Sequence, residues 1–157
     1  METQSLSIAL GEMKLFFDRS TRVLTEEDAD FAPEEGMFTT AQQIAHVAQS
    51  IEWFVNGAFS AEGFDTDFGA LEKAVRKVKT LAEARDWLDR AFAHAIETLG
   101  SKSVAELQAP IAAGPIMGGA PRASIMAGIN DHTAHHRGAL TVYARLRGKT
   151  SPMPYGE

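Results

Sequence analysis

The sequence predicts an all-α fold, a four-helix bundle with long linkers between its second and third helices and between its third and fourth helices. Four segments place apolar residues at the spacing of an amphipathic helix, whereas the alternation typical of strands is nearly absent. The chain has 157 residues, of which 45% are hydrophobic, enough for one domain with its own core and short for two. We therefore expect residues 1–157 to form a single domain.

The first two predicted helices lie toward the N-terminus. The first ends before Pro33 and Gly36, and its apolar face contains Leu6, Leu10, Met13, Phe17 and Leu24. The second opens at Thr40, where Gln43 three residues later completes a capping box, in which each side chain binds the other's free backbone N–H. It runs to about Phe59, and its apolar stripe contains Ile44, Val47, Ile51, Phe54 and Val55.

The third predicted helix has the clearest boundaries. It opens with a second capping box, Thr80 and Glu83, and ends at Gly100, which is a typical helix stop. Its buried face contains Leu81, Leu88, Phe92, Ala95 and Leu99. The linker ahead of it begins with Gly and Asp residues that favour a loop, and its charged part, residues 71–79, is suited to one extra short helix.

The fourth predicted helix begins near Pro121, a residue suited to the first turn because it has no N–H to leave unpaired, and continues through Arg147 to Gly148. In the linker ahead of it, residues 103–107 fit a single helical turn. The rest of that linker is mainly Gly, Pro and small residues. It is interpreted either as a plain connection or as a lip beside a site on the fourth helix.

Composition excludes several classes of function. The net charge is −6, and the 15 Lys and Arg residues are scattered, so no basic surface is available for nucleic acid. No apolar run reaches the roughly 18 residues of a membrane span, and Glu2 stands where a signal peptide needs positive charge. We expect a cytoplasmic protein. With no cysteine in the chain, any metal must be held by His, Asp or Glu.

The strongest chemical signal is the pair His132 and His136 in the fourth helix. The two residues are one turn apart, so their rings project from one face and can bind a single ion. The apolar residues Ile129 and Tyr143 lie within about 60° of His132 on a helical wheel. A buried imidazole needs a partner. Spacing alone leaves open that both are ordinary core or rim histidines.

Three other histidines are weaker candidates. His46 of the second helix lies on a mixed stripe opposite Ile44 and Ile51, a placement that permits it to meet the fourth helix and equally permits an ordinary, partly exposed histidine. His94 is expected to be solvated. His135 is close enough to the His132 face to replace His136, although we prefer His136 as the ligand.

Spacing excludes two familiar metal sites. A di-iron bundle needs Glu three residues before His, and those positions hold Gln43, Ala91, Ile129, His132 and Thr133. A zinc peptidase needs the Glu of H-E-x-x-H as its general base, and Thr133 stands at that position. Asp131 and Glu52 are near the histidines in sequence, but neither is clearly on the ligand face, so no general base is assigned.

Residues 131–155, DHTAHHRGALTVYARLRGKTSPMPY, resemble the last helix of the DinB/YfiT-like superfamily, which commonly reads H-x-x-x-H-R-G-Q-L. Residues 39–54, TTAQQIAHVAQSIEWF, resemble its second helix. The resemblance implies a four-helix bundle, usually a homodimer, with His46, His132 and His136 binding zinc, nickel or a similar divalent transition metal. One departure is Ala139, which replaces the glutamine that often follows the Arg-Gly pair.

Two functions are compatible with such a three-histidine site. The first is a metal-dependent enzyme with a small-molecule substrate, of the transferase or hydrolase type, because characterised relatives include bacillithiol transferases and mycothiol-dependent maleylpyruvate isomerases. A low-molecular-weight thiol is then a candidate second reactant. The second is a noncatalytic metal-binding structural or interaction protein, in which the ion ties the second helix to the fourth.

Overall fold

The computed structural model describes residues 3–156, and its regular structure is helical, as the sequence predicts. The helices are α1 (Thr3–Thr21), α2 (Thr40–Phe59), α3 (Phe68–Arg76), α4 (Leu81–Gly100), α5 (Val104–Gln108) and α6 (Ile125–Leu146). Short 3-10 turns occupy Glu26–Asp28 and Arg122–Ser124. Within the described range no strand forms, and Pro110 and Pro121 pair in an isolated bridge. No helix of this range is long and apolar enough to cross a membrane.

The four long helices share one core. Both α1 and α2 pack against α4 and against α6, and α3 lies on α2. The core is built from the apolar faces that the helical periodicity predicts, and its largest fully buried side chains include Phe17, Leu10, Ile44, Ile51, Leu88, Phe92, Ile129 and Leu140. This arrangement places α2 beside α6, the two helices that carry the candidate histidines.

The capping box of α2 lies one residue earlier than the sequence predicts. Thr39 Oγ1 accepts a hydrogen bond from the Gln42 N–H at 3.3 Å, and Gln42 Oε1 accepts one from the Thr39 N–H at 3.0 Å. Thr40 instead contacts Phe31, whose carbonyl accepts hydrogen bonds from its N–H at 2.9 Å and its hydroxyl at 3.3 Å. The prediction of a box at Thr40 was therefore wrong, and Gln43 is released from capping.

Other boundaries agree more closely with the sequence. The box of Thr80 and Glu83 opens α4, which ends at Gly100 as predicted. The short helix α5 lies within one residue of its predicted turn, whereas α3 begins three residues before the charged stretch 71–79 and ends three residues before its end. The fourth long helix starts later than predicted, because a 3-10 turn follows Pro121 before α6 begins at Ile125.

A buried ion pair joins the segment after α1 to the end of α6. The carboxylate of Asp28 is 1% exposed and binds Arg147 Nε at 3.1 Å and Lys149 Nζ. Burial alone would raise the pKa of Asp28, but hydrogen bonds from Lys149, the Thr25 backbone and Arg147 outweigh it and lower the pKa to about 2. The carboxylate therefore stabilises the fold in its charged form.

Asp28→Asn is expected to lower the free energy of unfolding near neutral pH by about 1–2 kcal/mol, a value discounted because Arg147 and Lys149 stay partly solvated. Since the folded-state pKa lies below the ordinary one, this stabilisation is present above about pH 4 and disappears as the pH falls toward about 2. Urea denaturation of both proteins across this range measures it. A difference that does not shrink in acid would contradict the charge-based explanation.

Candidate metal centre

The three predicted histidines meet where α2 packs against α6. One ring nitrogen from each of His46, His132 and His136 lies within 4.8 Å of one from each of the others. The ring centroids are 5.0 Å apart for His46 and His132, 4.8 Å for His46 and His136, and 4.5 Å for His132 and His136. The mixed stripe on which His46 lies is thus turned toward α6, which the helical wheel alone left open.

A glycine on α6 permits this close contact. A Cβ atom built on Gly128 would lie only 2.7 Å from the Phe54 ring of α2, so any side chain there would require that ring to move. Gly128 is one turn before His132 on the same helix. This close contact between α2 and α6 therefore lies next to the histidine cluster.

The three imidazoles are held in their neutral form. Burial lowers the pKa of His46, and burial together with the neighbouring imidazoles lowers the pKa of His132 to about 4 and that of His136 to about 3. Neutral imidazole is the form that binds metals. His132 Nε2 is buried and has no hydrogen-bond partner within the described residues. Clustered neutral donors and an unpartnered ring nitrogen fit a divalent transition metal.

A series of hydrogen bonds connects His136 through Gln43 and Tyr143 to the Phe38 backbone. His136 Nδ1 lies 2.6 Å from Gln43 Oε1, and Gln43 Nε2 donates to the Tyr143 hydroxyl at 3.2 Å. The Tyr143 hydroxyl donates to the Phe38 carbonyl at 2.9 Å. Sequence reasoning missed Gln43 because it was assigned to a cap, and Tyr143 because it was counted as core.

The remaining candidates lie outside the cluster. His94 is exposed on α4, as predicted, and its Nε2 is 3.4 Å from Asn56 Oδ1. His135 is exposed, and although its ring is 4.9 Å from that of His136, it is not among the three histidines with converging nitrogens. Asp131 is exposed as well. Glu52 accepts a hydrogen bond from Trp87 Nε1 at 3.0 Å.

A cavity of about 360 Å³ opens beside His46 and His132. Its wall is mainly aromatic and apolar, with the Glu72 carboxylate of α3 at one side; the other lining residues are Phe38, Gln49, Ser50, Trp53, Phe68 and Leu71. A second cavity, of about 650 Å³, shares Gln49, Trp53 and Leu71 with it. Neither Ala139 nor any residue of the linker 109–121 lines the smaller cavity, so a plain connection describes that linker better than a lip.

The helical fold of the described residues and the three imidazoles that converge between two long helices place this protein in the class of candidate metal-binding helical proteins. The family model of the DinB superfamily matches residues 17–140. The chain belongs to the DinB superfamily, and the matched range contains all three histidines of the cluster. No curated protein matches the sequence.

In metal-free protein, the free energy of unfolding is expected to fall as the pH is lowered from about 7 to about 5. The unfolded chain protonates His132 and His136 below an ordinary pKa of about 6.5, whereas the folded chain holds these pKa values at about 4 and about 3, so acid favours unfolding. We expect a loss of about 1 kcal/mol for each histidine near pH 5, discounted because both rings are only partly buried.

Chemical denaturation in the presence of a chelator measures this effect. The double variant His132→Asn/His136→Asn should lack most of the decline, because its amides do not titrate. His94→Asn is the matched control and should keep the decline, since that histidine is exposed. A decline of equal size in the double variant would refute the assignment to these two histidines.

Proposed function

We propose that this protein is a divalent-metal-dependent enzyme in which His46, His132 and His136 are the metal ligands. The convergence of their ring nitrogens from α2 and α6 is the observation that carries the proposal. Zinc and nickel are the metals we favour, because both suit imidazole ligands. In this proposal α1, α2, α4 and α6 are the four helices of a DinB-type bundle, and the linkers contribute α3 and α5.

Three histidine ligands are typical of catalytic rather than structural zinc sites, which usually fill all four positions with protein side chains. A bound metal with an open position supplies Lewis acidity, which lowers the pKa of a water or a thiol and yields a nucleophile near neutral pH. We favour transfer to a low-molecular-weight thiol or hydrolysis. Within the described residues the converging group contains no fourth His, Asp or Glu.

The cavity beside His46 and His132 is the proposed substrate site. Trp53, Phe38 and Phe68 line it, so it suits a small molecule with an apolar or planar part. Gln49, Ser50 and Glu72 line it as well, and they are the polar side chains that would orient such a molecule, although Glu72 also pairs with Arg76. A noncatalytic protein, in which the ion only ties α2 to α6, has no need for a cavity next to the ligands, and for that reason we rank it second.

The assembly proposed for this protein is a homodimer. Exposed apolar side chains lie on α1 and α6, including Ile8, Leu15, Val142 and Leu146, and in the proposed dimer a second copy covers them. We propose no nucleic-acid partner, because the net charge is −6. A cytoplasmic location stays a prediction from the sequence.

Replacing any one of the three histidines by alanine is expected to weaken zinc or nickel binding more than about 100-fold, beyond the loss that a supporting residue causes. His94→Ala is the matched control, because it removes an exposed histidine from α4. Metal content is measured on protein purified without a nickel column, and affinity by competition with a chelator. Equal metal content in the wild type and in His132→Ala/His136→Ala would rule out the site.

A panel of electrophilic small molecules, each offered with thiols or with water alone, tests the catalytic proposal. We expect turnover by the metal-loaded protein that is lost on chelation and restored by zinc or nickel. Phe68→Ala, which removes part of the cavity wall, should raise the KM about fivefold, equivalent to about 1 kcal/mol.

The matched control is Val104→Ala on α5, since Val104 and Phe68 are each 57% exposed and only Phe68 lines the cavity. Turnover that persists after complete removal of the metal would overturn the proposal of a metal-dependent enzyme.

A further inference from the structure

We propose that Gln43 and Tyr143 are positioning residues that keep the proton of neutral His136 on Nδ1 and leave its Nε2 lone pair free for the metal. The inference deepens the proposed function, and it rests on that function where it treats His136 as a ligand. Three hydrogen bonds connect His136 to the Phe38 carbonyl through Gln43 and Tyr143. The inference rests on which group donates in each of them.

The donor and acceptor roles are determined first in the hydrogen bond between Tyr143 and Phe38. A backbone carbonyl only accepts hydrogen bonds, so the Tyr143 hydroxyl, 2.9 Å away, must donate its single proton to it. The Tyr143 oxygen can then only accept from Gln43, and the amide must present its NH₂ group to it, at 3.2 Å. Reversing the amide would require Tyr143 to donate to Gln43 and would take its proton away from the Phe38 carbonyl.

The orientation of the Gln43 amide then determines the role of His136. With its NH₂ group on Tyr143, Gln43 turns Oε1 toward His136 Nδ1 at 2.6 Å. An amide oxygen has no proton to give, so the hydrogen bond forms only when Nδ1 carries one. Neutral His136 then has its lone pair on Nε2, which is the one ring nitrogen left to bind a metal.

The side chains of Tyr143 and Gln43 are held in place by burial and packing. Tyr143 is 2% exposed and packs edge-on against Phe31, with ring centroids 5.9 Å apart. Gln43 is 8% exposed, and the cap of α2 formed by Thr39 and Gln42 leaves its side chain free for this contact. The Phe38 ring is itself 5.3 Å from the His46 ring, so the same residue adjoins both sides of the cluster.

The decisive experiment observes the proton of His136 in metal-free protein. Protein labelled with ¹⁵N-histidine is stripped of metal near neutral pH, and long-range ¹H–¹⁵N correlation identifies the protonated ring nitrogen. We expect the wild type to carry it on Nδ1. Gln43→Met removes the acceptor and should move the proton largely to Nε2, which a free imidazole prefers.

Three further variants complete the test. Tyr143→Phe frees the amide to present either end, so both tautomers should appear, whereas Tyr155→Phe, at the chain's other tyrosine, which is 66% exposed, should match the wild type. Gln43→Glu keeps an acceptor next to His136 and should retain the proton on Nδ1. In zinc titrations, Gln43→Met and Tyr143→Phe should weaken binding by about 10–100-fold, the usual effect of a residue that supports a ligand.

The outcomes separate this inference from the proposed function. A proton on Nε2 in the wild type, or one that stays on Nδ1 in Gln43→Met, would overturn the inference even if the protein binds zinc tightly. An unchanged tautomer in Tyr143→Phe would overturn the part assigned to Tyr143. The expected tautomers in a protein that binds no metal would instead support the positioning of His136 and overturn its function as a ligand.

Discussion

The packing of α2 against α6 determines where each ring of the histidine cluster lies. Apolar side chains from both helices, such as Ile44, Ile51 and Ile129, are buried in this core, and each contributes about 1.5–3 kcal/mol by leaving water. Gly128 lets α6 approach the Phe54 ring more closely than any residue with a Cβ atom would allow. Burial of the apolar core thus supplies the free energy that brings the three polar rings together, whereas contact between the rings themselves contributes little.

Bringing three imidazoles into a half-buried space has an electrostatic consequence. Each ring could become a cation, and burial together with the mutual repulsion of such cations keeps the cluster neutral, which is why the pKa values of His132 and His136 are so low. A neutral cluster still contains nitrogen atoms that have lost their water. The protein satisfies one of them through Gln43 and leaves His132 Nε2 without a partner among the described residues. A bound cation would satisfy that nitrogen and would gain from the absence of competing protons.

Features that depend on neighbours in sequence could be predicted, whereas features that depend on distant contacts could not. The capping box at Thr80 and the spacing of His132 and His136 are local and were read correctly. The start of α2 offered two equivalent boxes, because paired threonines at 39 and 40 precede paired glutamines at 42 and 43. Long-range contacts accompany the earlier box: Thr40 binds the Phe31 carbonyl, and Gln43 binds Tyr143. The surroundings of His46 could not be predicted for the same reason, since a helical wheel shows one helix and not the neighbouring helix that it packs against.

The choice between the two boxes also affects the candidate site. Had Gln43 capped the helix, its amide would be occupied at the N-terminus of α2, and His136 would lack its partner. The resulting cluster is asymmetric: the His136 side is closed by a buried hydrogen-bonded chain, whereas His46 and His132 line an aromatic cavity. In the proposed enzyme, His46 and His132 would therefore be the ligands that adjoin the substrate cavity. The asymmetry is the reason for which we propose a reacting centre, since an ion that only ties α2 to α6 would need no cavity beside its ligands.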